Sequence, residues 1–210
     1  MPIGAAMMGF VNVNVGTYAN RGFESGTFNW DFINNQVSLN GGSTILSYPT
    51  PAGPASSGTY TNNRSVEKVL QSDFGASLPS GEAHCIKLNC AASYTGSNGV
   101  SFGPVAHTTS KVSLVEGDIV SYSWKCHAVN GKGYRAFSYL LNGNTGSAVV
   151  LQNVSGNTTT EWAEYSRTML SGEAGEYYFV FIGGFYDTNT GASAPAIFNT
   201  IILLDNLVVK

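Results

Sequence analysis

The sequence predicts an all-β sandwich with one short helix, and three observations lead to it. Helix-favouring Glu, Lys, Arg and Met are scarce, whereas Gly (25), Tyr (11) and Phe (11) stand beside abundant Asn, Ser and Thr, a composition of short strands joined by turns. Asn-Gly pairs at 40–41, 98–99, 130–131 and 142–143 supply the positive φ of tight hairpins. Between these turns apolar and polar residues alternate with the period of a strand. At 210 residues the chain fits one domain, a size a single β-sandwich commonly reaches.

Taken in order, the apolar segment 1–18 reads as an N-terminal arm or edge strand, and the sandwich domain as 19–210. Strands are predicted near 9–15, 19–24 and 35–39. Residues 40–65 hold three of the seven prolines and many small residues, so they read as a long loop on the sheet. Ser65 can cap a helix over 66–74, because Val66, Val69, Leu70 and Phe74 form one stripe at helical spacing. Further strands are predicted near 83–92, 99–106, 110–115, 118–127, 134–141, 147–153, 161–168, 176–184 and 197–209. In the seventh of these twelve, Val120, Tyr122, Trp124 and Cys126 alternate with Ser121, Ser123 and Lys125, which gives one buried and one solvated face. Residues 177–185 and 196–209 are apolar on both faces, so those strands are central, or covered from outside by loops or a partner.

Ten Lys plus Arg against thirteen Asp plus Glu give a net charge of -3, too weak to attract nucleic acid or an anionic membrane. Only 11% of residues are charged, well below the usual quarter or so, so the surface suits neutral partners such as sugars or protein subunits. The opening run lacks the basic residues and cleavage site of a signal peptide. Cys85, Cys90 and Cys126 are an odd set, read as free buried thiols, with Cys85 and Cys90 on opposite faces of their strand.

Catalytic signatures are nearly absent. No HExxH or GxxxxGK[ST] occurs, and Gly191-Ala-Ser-Ala-Pro195 lacks the last Gly of a nucleophile elbow. Gly131-Lys-Gly-Tyr-Arg-Ala136 meets a loose dinucleotide pattern, but it runs from a hairpin turn into a strand and offers no helix N-terminus. His84, His107 and His127 have no helical metal-ligand spacing. Sequons at Asn63, Asn153 and Asn157 occur about as often as chance predicts from composition. Glu161, Glu164, Glu173 and Glu176 flank turns and read as the solvated side of a hairpin rather than a glycosidase pair.

Four stretches, in order, carry a resemblance: "NRGFESGTFNW" (20–30), "GVSFGPVAHTTSKVSLVEGDIVSYSWK" (99–125), "WAEYSRTMLSGEAGEYYFVFIGGFYDT" (162–188) and "IILLDNLVV" (201–209). Together they make residues 19–210 resemble the jelly-roll carbohydrate-binding modules, the galactose-binding-like β-sandwiches. The resemblance implies a jelly-roll β-sandwich and a structural calcium. By position, Glu24 and Asp205 are its side-chain ligands, with backbone oxygens near Asn20 and Arg21; the alternative is a plain Arg21–Glu24 salt bridge. Phe23 and Trp30 are expected in the core.

The leading functional expectation is a non-enzymatic structural protein of a particle, in particular a bacteriophage virion protein such as a capsid decoration (cement) or tail component. It would act through subunit contacts as a homo-oligomer and be made in the host cytoplasm. The alternative is a carbohydrate-binding module, extracellular or at a cell surface, that recognises a glycan through loop aromatics: Tyr48, Tyr60, Tyr94 and Tyr186.

Overall fold

Alternation along the twelve described strands makes two sheets, each apolar toward the other. The computed structural model describes residues 18, 22–24, 26, 29–33, 59–75, 78, 82–95, 100–129, 133–186 and 196–210. The first sheet contains β1 (Trp30–Ile33), β4 (Val100–Thr108), β10 (Gly175–Tyr186), β7 (Gly133–Asn142) and β8 (Ala148–Gly156), in that order, and β5 (Val112–Leu114) pairs with β10 on its β4 side. In the second, β2 (Thr59–Leu70) pairs along all of β3 (His84–Thr95). β11 (Ala196–Phe198) and β12 (Ile201–Val209) follow one another along the other side of β3; β6 (Ile119–Ala128) and β9 (Ala163–Thr168) complete the sheet. All the pairings among the described residues are antiparallel, and the chain is an all-β sandwich, as its composition predicts.

The core lies where the inner faces meet. Val120, Tyr122, Trp124 and Cys126 of β6 face Tyr177, Phe179 and Phe181 of β10 and Tyr134, Ala136 and Leu140 of β7 in one buried cluster. Tyr122 is central: its ring lies 5.2 Å from that of Phe179 and 5.4 Å from that of Tyr165. Its hydroxyl bonds Ser138 Oγ at 2.6 Å and donates to Gln152 Oε1 at 2.7 Å, joining the sheets through a satisfied polar contact. Burial pushes the Tyr122 phenol far above its ordinary value, so it stays neutral. Tyr122→Phe is expected to cost about 1–3 kcal/mol, since Ser138 then loses a partner in a buried site; urea unfolding measures it.

The two strands predicted to be apolar on both faces have different covers. On β10, Val180 and Ile182 point away from the core yet are buried, as are Phe137, Tyr139 and Leu141 on β7 and Val105 on β4. The second apolar face of this sheet is therefore buried within the chain itself. On β12, Leu203 and Asp205 point outward and are fully buried. Part of their cover is a 3-10 turn, Gln71–Phe74. Phe74 packs edge-on against His127 at 5.0 Å, the Lys87 ammonium lies 5.8 Å from its ring centroid, and Lys125 Nζ donates to its carbonyl at 3.2 Å. The polar face of β6 is thus not solvated as its alternation predicts: Ser121, Ser123 and Lys125 are buried.

Three expectations are corrected. The helix over 66–74 is strand through Leu70, and only Gln71–Phe74 turns helically. Pairing with all twelve residues of β3 outweighs a stripe at helical spacing, and the loop predicted to run to 65 gives way to strand at Thr59. The strand predicted to end at Glu24 is a turn there, with Phe23 at φ 58°, while β1 at Trp30–Ile33 was not predicted. The strands predicted near 9–15 and 35–39 lie outside the described residues. Cys85, Cys90 and Cys126 are free and buried, with Cys90 and Cys126 in the core. Tyr18, the last residue of the predicted arm, is buried beside Phe179 and donates its hydroxyl to the Tyr177 carbonyl at 2.9 Å. Among the described residues no helix is long and apolar enough to cross a membrane.

Candidate functional site

The opening turn owes its position to two aromatics. Phe23 is fully buried and its ring lies 4.8 Å from that of Trp30, as expected of both. With Phe23 turned inward at positive φ, the next side chain, Glu24, faces outward toward the start of β3. Glu24 Oε1 accepts the backbone N–H groups of Ala83 and His84, both at 2.8 Å, and Oε2 pairs with His84 Nδ1 at 2.8 Å. Its carbonyl accepts Lys68 Nζ at 3.3 Å. Slight burial pushes the Glu24 carboxyl up, but the bonds from His84 and Ala83 outweigh it and hold the group below the ordinary carboxylate range. One carboxylate thus ties the opening turn to the entry of β3. His84 is the described side chain paired with it; the alternative partner, Arg21, and Asn20 lie outside the described residues.

Asp205 lies on the outer face of the second sheet. Asn206, at φ 52°, breaks the register of β12 after it, the signature of a bulge. Asp205 Oδ2 accepts Gln71 Nε2 at 2.6 Å, and the same nitrogen reaches the His84 carbonyl at 3.2 Å while Gln71 Oε1 accepts the Leu78 N–H at 2.7 Å. Asp205 Oδ1 is buried and has no hydrogen-bond partner among the described residues. Burial pushes the Asp205 carboxyl up to about 8; the Asn206 amide opposes this, and the nearby charges of Glu82 and Glu24 add to it. Glu82 was not singled out by sequence, because no motif surrounds it. Its carboxylate lies against the backbone of Gly22, where an added Cβ would stand 2.4 Å from Oε1 and 2.8 Å from Oε2.

Both predicted calcium residues therefore reach the entry of β3, Glu24 through His84 and Asp205 through Gln71. An orphaned buried carboxylate oxygen and a carboxylate cradled on a glycine fit a hard cation, which takes oxygen ligands. Among the described residues no group of three or more His, Cys, Asp or Glu side chains is placed to hold a metal ion, so carbonyl oxygens would make up much of the shell.

Two of the four predicted glycan-binding tyrosines fall at another end of the second sheet. Tyr60 and Tyr94 are direct register partners on β2 and β3, and Tyr94 is also paired with Ala196 of β11. Tyr186 ends β10 in the other sheet, opposite Val100 and Gly133, and Tyr48 lies outside the described residues. Trp162 is half-buried just ahead of β9. The carboxylates weighed as a glycosidase pair do not form one. Glu164 is on β9 and Glu176 on β10, in different sheets; Glu161 is exposed, and Glu173 is engaged by Arg167 at 2.7 and 2.9 Å.

No family model matches the chain, and no curated protein does. Among solved structures, the chain is similar to a family 61 carbohydrate-binding module in complex with beta-1,4-galactotriose, at TM-score 0.48 and 15% identity over 92% of this chain and 97% of that one. It is similar to a non-crystalline cellulose specific carbohydrate-binding module of family 28, at TM-score 0.45 and 10% identity over 91% and 94% of the two chains. A third likeness is to the enzymatically active domain of bacteriophage CBA120 tailspike protein 4, at TM-score 0.42 and 12% identity, covering 93% of this chain but 21% of that one.

Proposed function

We propose that the chain is a non-catalytic carbohydrate-binding module. The observation that carries this reading is the pairing of Tyr60 with Tyr94: residues far apart in sequence, both expected as sugar platforms, are cross-strand neighbours at one end of the second sheet. Aromatic rings offer an apolar face to sugar C–H groups and a hydroxyl to their oxygens, and a weakly charged surface suits a neutral glycan. A glycan array tests it. The wild type is expected to retain at least one neutral polysaccharide, and Tyr60→Ala/Tyr94→Ala to lose more than tenfold in affinity while melting normally. A protein that binds no glycan, or a double variant that binds like the wild type, removes the reading.

A structural calcium is proposed beside this function, held by Glu24 and Asp205 with backbone carbonyl oxygens making up the rest of its shell. It would supply the positive charge that the buried carboxylate lacks and brace the turn against the sheet. The second functional reading is a structural protein of a particle, such as a bacteriophage virion component, placed in the virion. It is favoured by Val115, Ile119 and Leu170, exposed apolar residues near the β5–β6 turn, which contacts Met169 through backbone bonds. Size-exclusion with light scattering decides it: a stable homo-oligomer supports assembly, and a monomer at all concentrations opposes it.

A further inference from the structure

Among the described residues five large apolar side chains stay exposed: Leu70, Val115, Ile119, Val150 and Leu170. Leu70 ends β2 and Val150 lies on β8, whereas Val115, Ile119 and Leu170, 40%, 37% and 58% exposed, stand together at one end of the sandwich. Backbone bonds bring them there. The Asp118 N–H donates to the Val115 carbonyl at 3.2 Å and closes the turn between β5 and β6. That turn is fastened beside Leu170, because Gly117 N–H donates to the Met169 carbonyl at 3.0 Å and Met169 N–H to the Asp118 carbonyl at 2.7 Å. Ile119 opens β6 between two neighbours: it exchanges backbone bonds with Lys210 at 2.8 and 2.9 Å, and Thr168 of β9 is its register partner on the other side.

The charges of this end fall into two groups. Arg167 and Glu173 hold each other at 2.7 and 2.9 Å, and Asp118 Oδ2 accepts the Val115 N–H at 2.8 Å, so these serve the local fold. Glu116, in the turn, and Lys210, beside Ile119, are exposed and place one charge of each sign at separate points of the apolar patch.

We propose that this patch is a twofold contact between two copies of the chain, in which Val115, Ile119 and Leu170 of one copy pack on those of the other and each Glu116 faces the other copy's Lys210. The inference rests on the assembly reading above and names its surface and partner. A twofold sets each residue of a pair against its counterpart twice, so one acid and one base complement themselves and three apolar side chains become six. The trio carries no aromatic ring, so it does not suit a sugar.

Size-exclusion with light scattering on the full chain across a wide range of concentration, with thermal melts as a control of folding, tests it. The wild type is expected to dimerise, and Ile119→Thr/Leu170→Ser to stay monomeric where the wild type is dimeric. Glu116→Lys, which leaves the apolar trio intact, is expected to raise the dissociation constant at least tenfold, and Glu116→Lys/Lys210→Glu to recover most of that loss, because the pair is restored with its signs exchanged. An oligomer that persists unchanged in Ile119→Thr/Leu170→Ser overturns this surface while leaving the assembly reading in place. A double reversal no tighter than Glu116→Lys alone overturns the twofold arrangement. A wild type that is monomeric at every concentration removes the assembly reading, and this inference with it.

Discussion

Phe179→Ala is expected to destabilise the protein by about 3–5 kcal/mol, the usual cost of emptying a fully buried aromatic site. Phe179 is fully buried on β10, inside the first sheet, and its ring meets those of Tyr18 at 6.5 Å, Trp30 at 6.1 Å and Tyr122 at 5.2 Å. These partners come from the opening segment, β1 and the opposite sheet, so the void would open where three parts of the chain meet. The backbones of Trp30 and Tyr122 are held by strand pairing and cannot collapse into it. For a chain of this size the loss corresponds to a melting point lower by roughly 6–20 °C. Val150→Ala on β8, 44% exposed, should stay within about 0.5 kcal/mol. Urea unfolding of the two variants checks both, and equal effects would mean that the core is not centred on Phe179.

Asp205→Asn is expected to stabilise the metal-free protein at neutral and higher pH. The folded carboxyl is pushed up to about 8 by burial, whereas an unfolded Asp titrates near 4. The folded state therefore holds the proton more tightly, so stability falls as pH rises from about 4 to about 8 and is level above that. The slope cannot exceed about 1.4 kcal/mol per pH unit for one group. Asn keeps an oxygen to accept from Gln71 and carries no charge, so the variant should lose this slope and melt above the wild type at the alkaline end in EDTA. Calcium should raise the wild type and leave the variant unmoved. Melts in EDTA across this range measure it; a wild type with no such slope, or a variant less stable at every pH, contradicts it.

Much of the fold was legible because a buried face imposes a period. The alternation in β6 placed Val120, Tyr122, Trp124 and Cys126 in the core correctly, and the doubly apolar runs in β10 and β12 are inner strands with covered outer faces. What covers a face was not legible. The polar side of β6 looks solvated in one dimension, and the tertiary placement of Phe74 against His127 and Lys125 covers part of it. β2 was misread for the same reason: a helical stripe is a local signal, and the register with β3 is not.

The candidate cation site was legible in half. Glu24 and Asp205 were found through the order of motifs, but the alternation of residues does not reveal that Glu24 spends its carboxylate on His84, sixty positions away. Gln71 and Glu82 stand in no motif at all. Their roles follow from a turn that folds back over β12, which makes ordinary polar residues neighbours of a buried charge.

The most direct test of the proposed function is to follow backbone amide shifts by NMR while a bound oligosaccharide from the glycan array is titrated in. Saturable shifts should concentrate at residues 59–62 of β2, 92–95 of β3 and 196–198 of β11, around the Tyr60–Tyr94 pair. Shifts confined to the opposite sheet or to the Asp205 region, or none at saturating sugar, would contradict it.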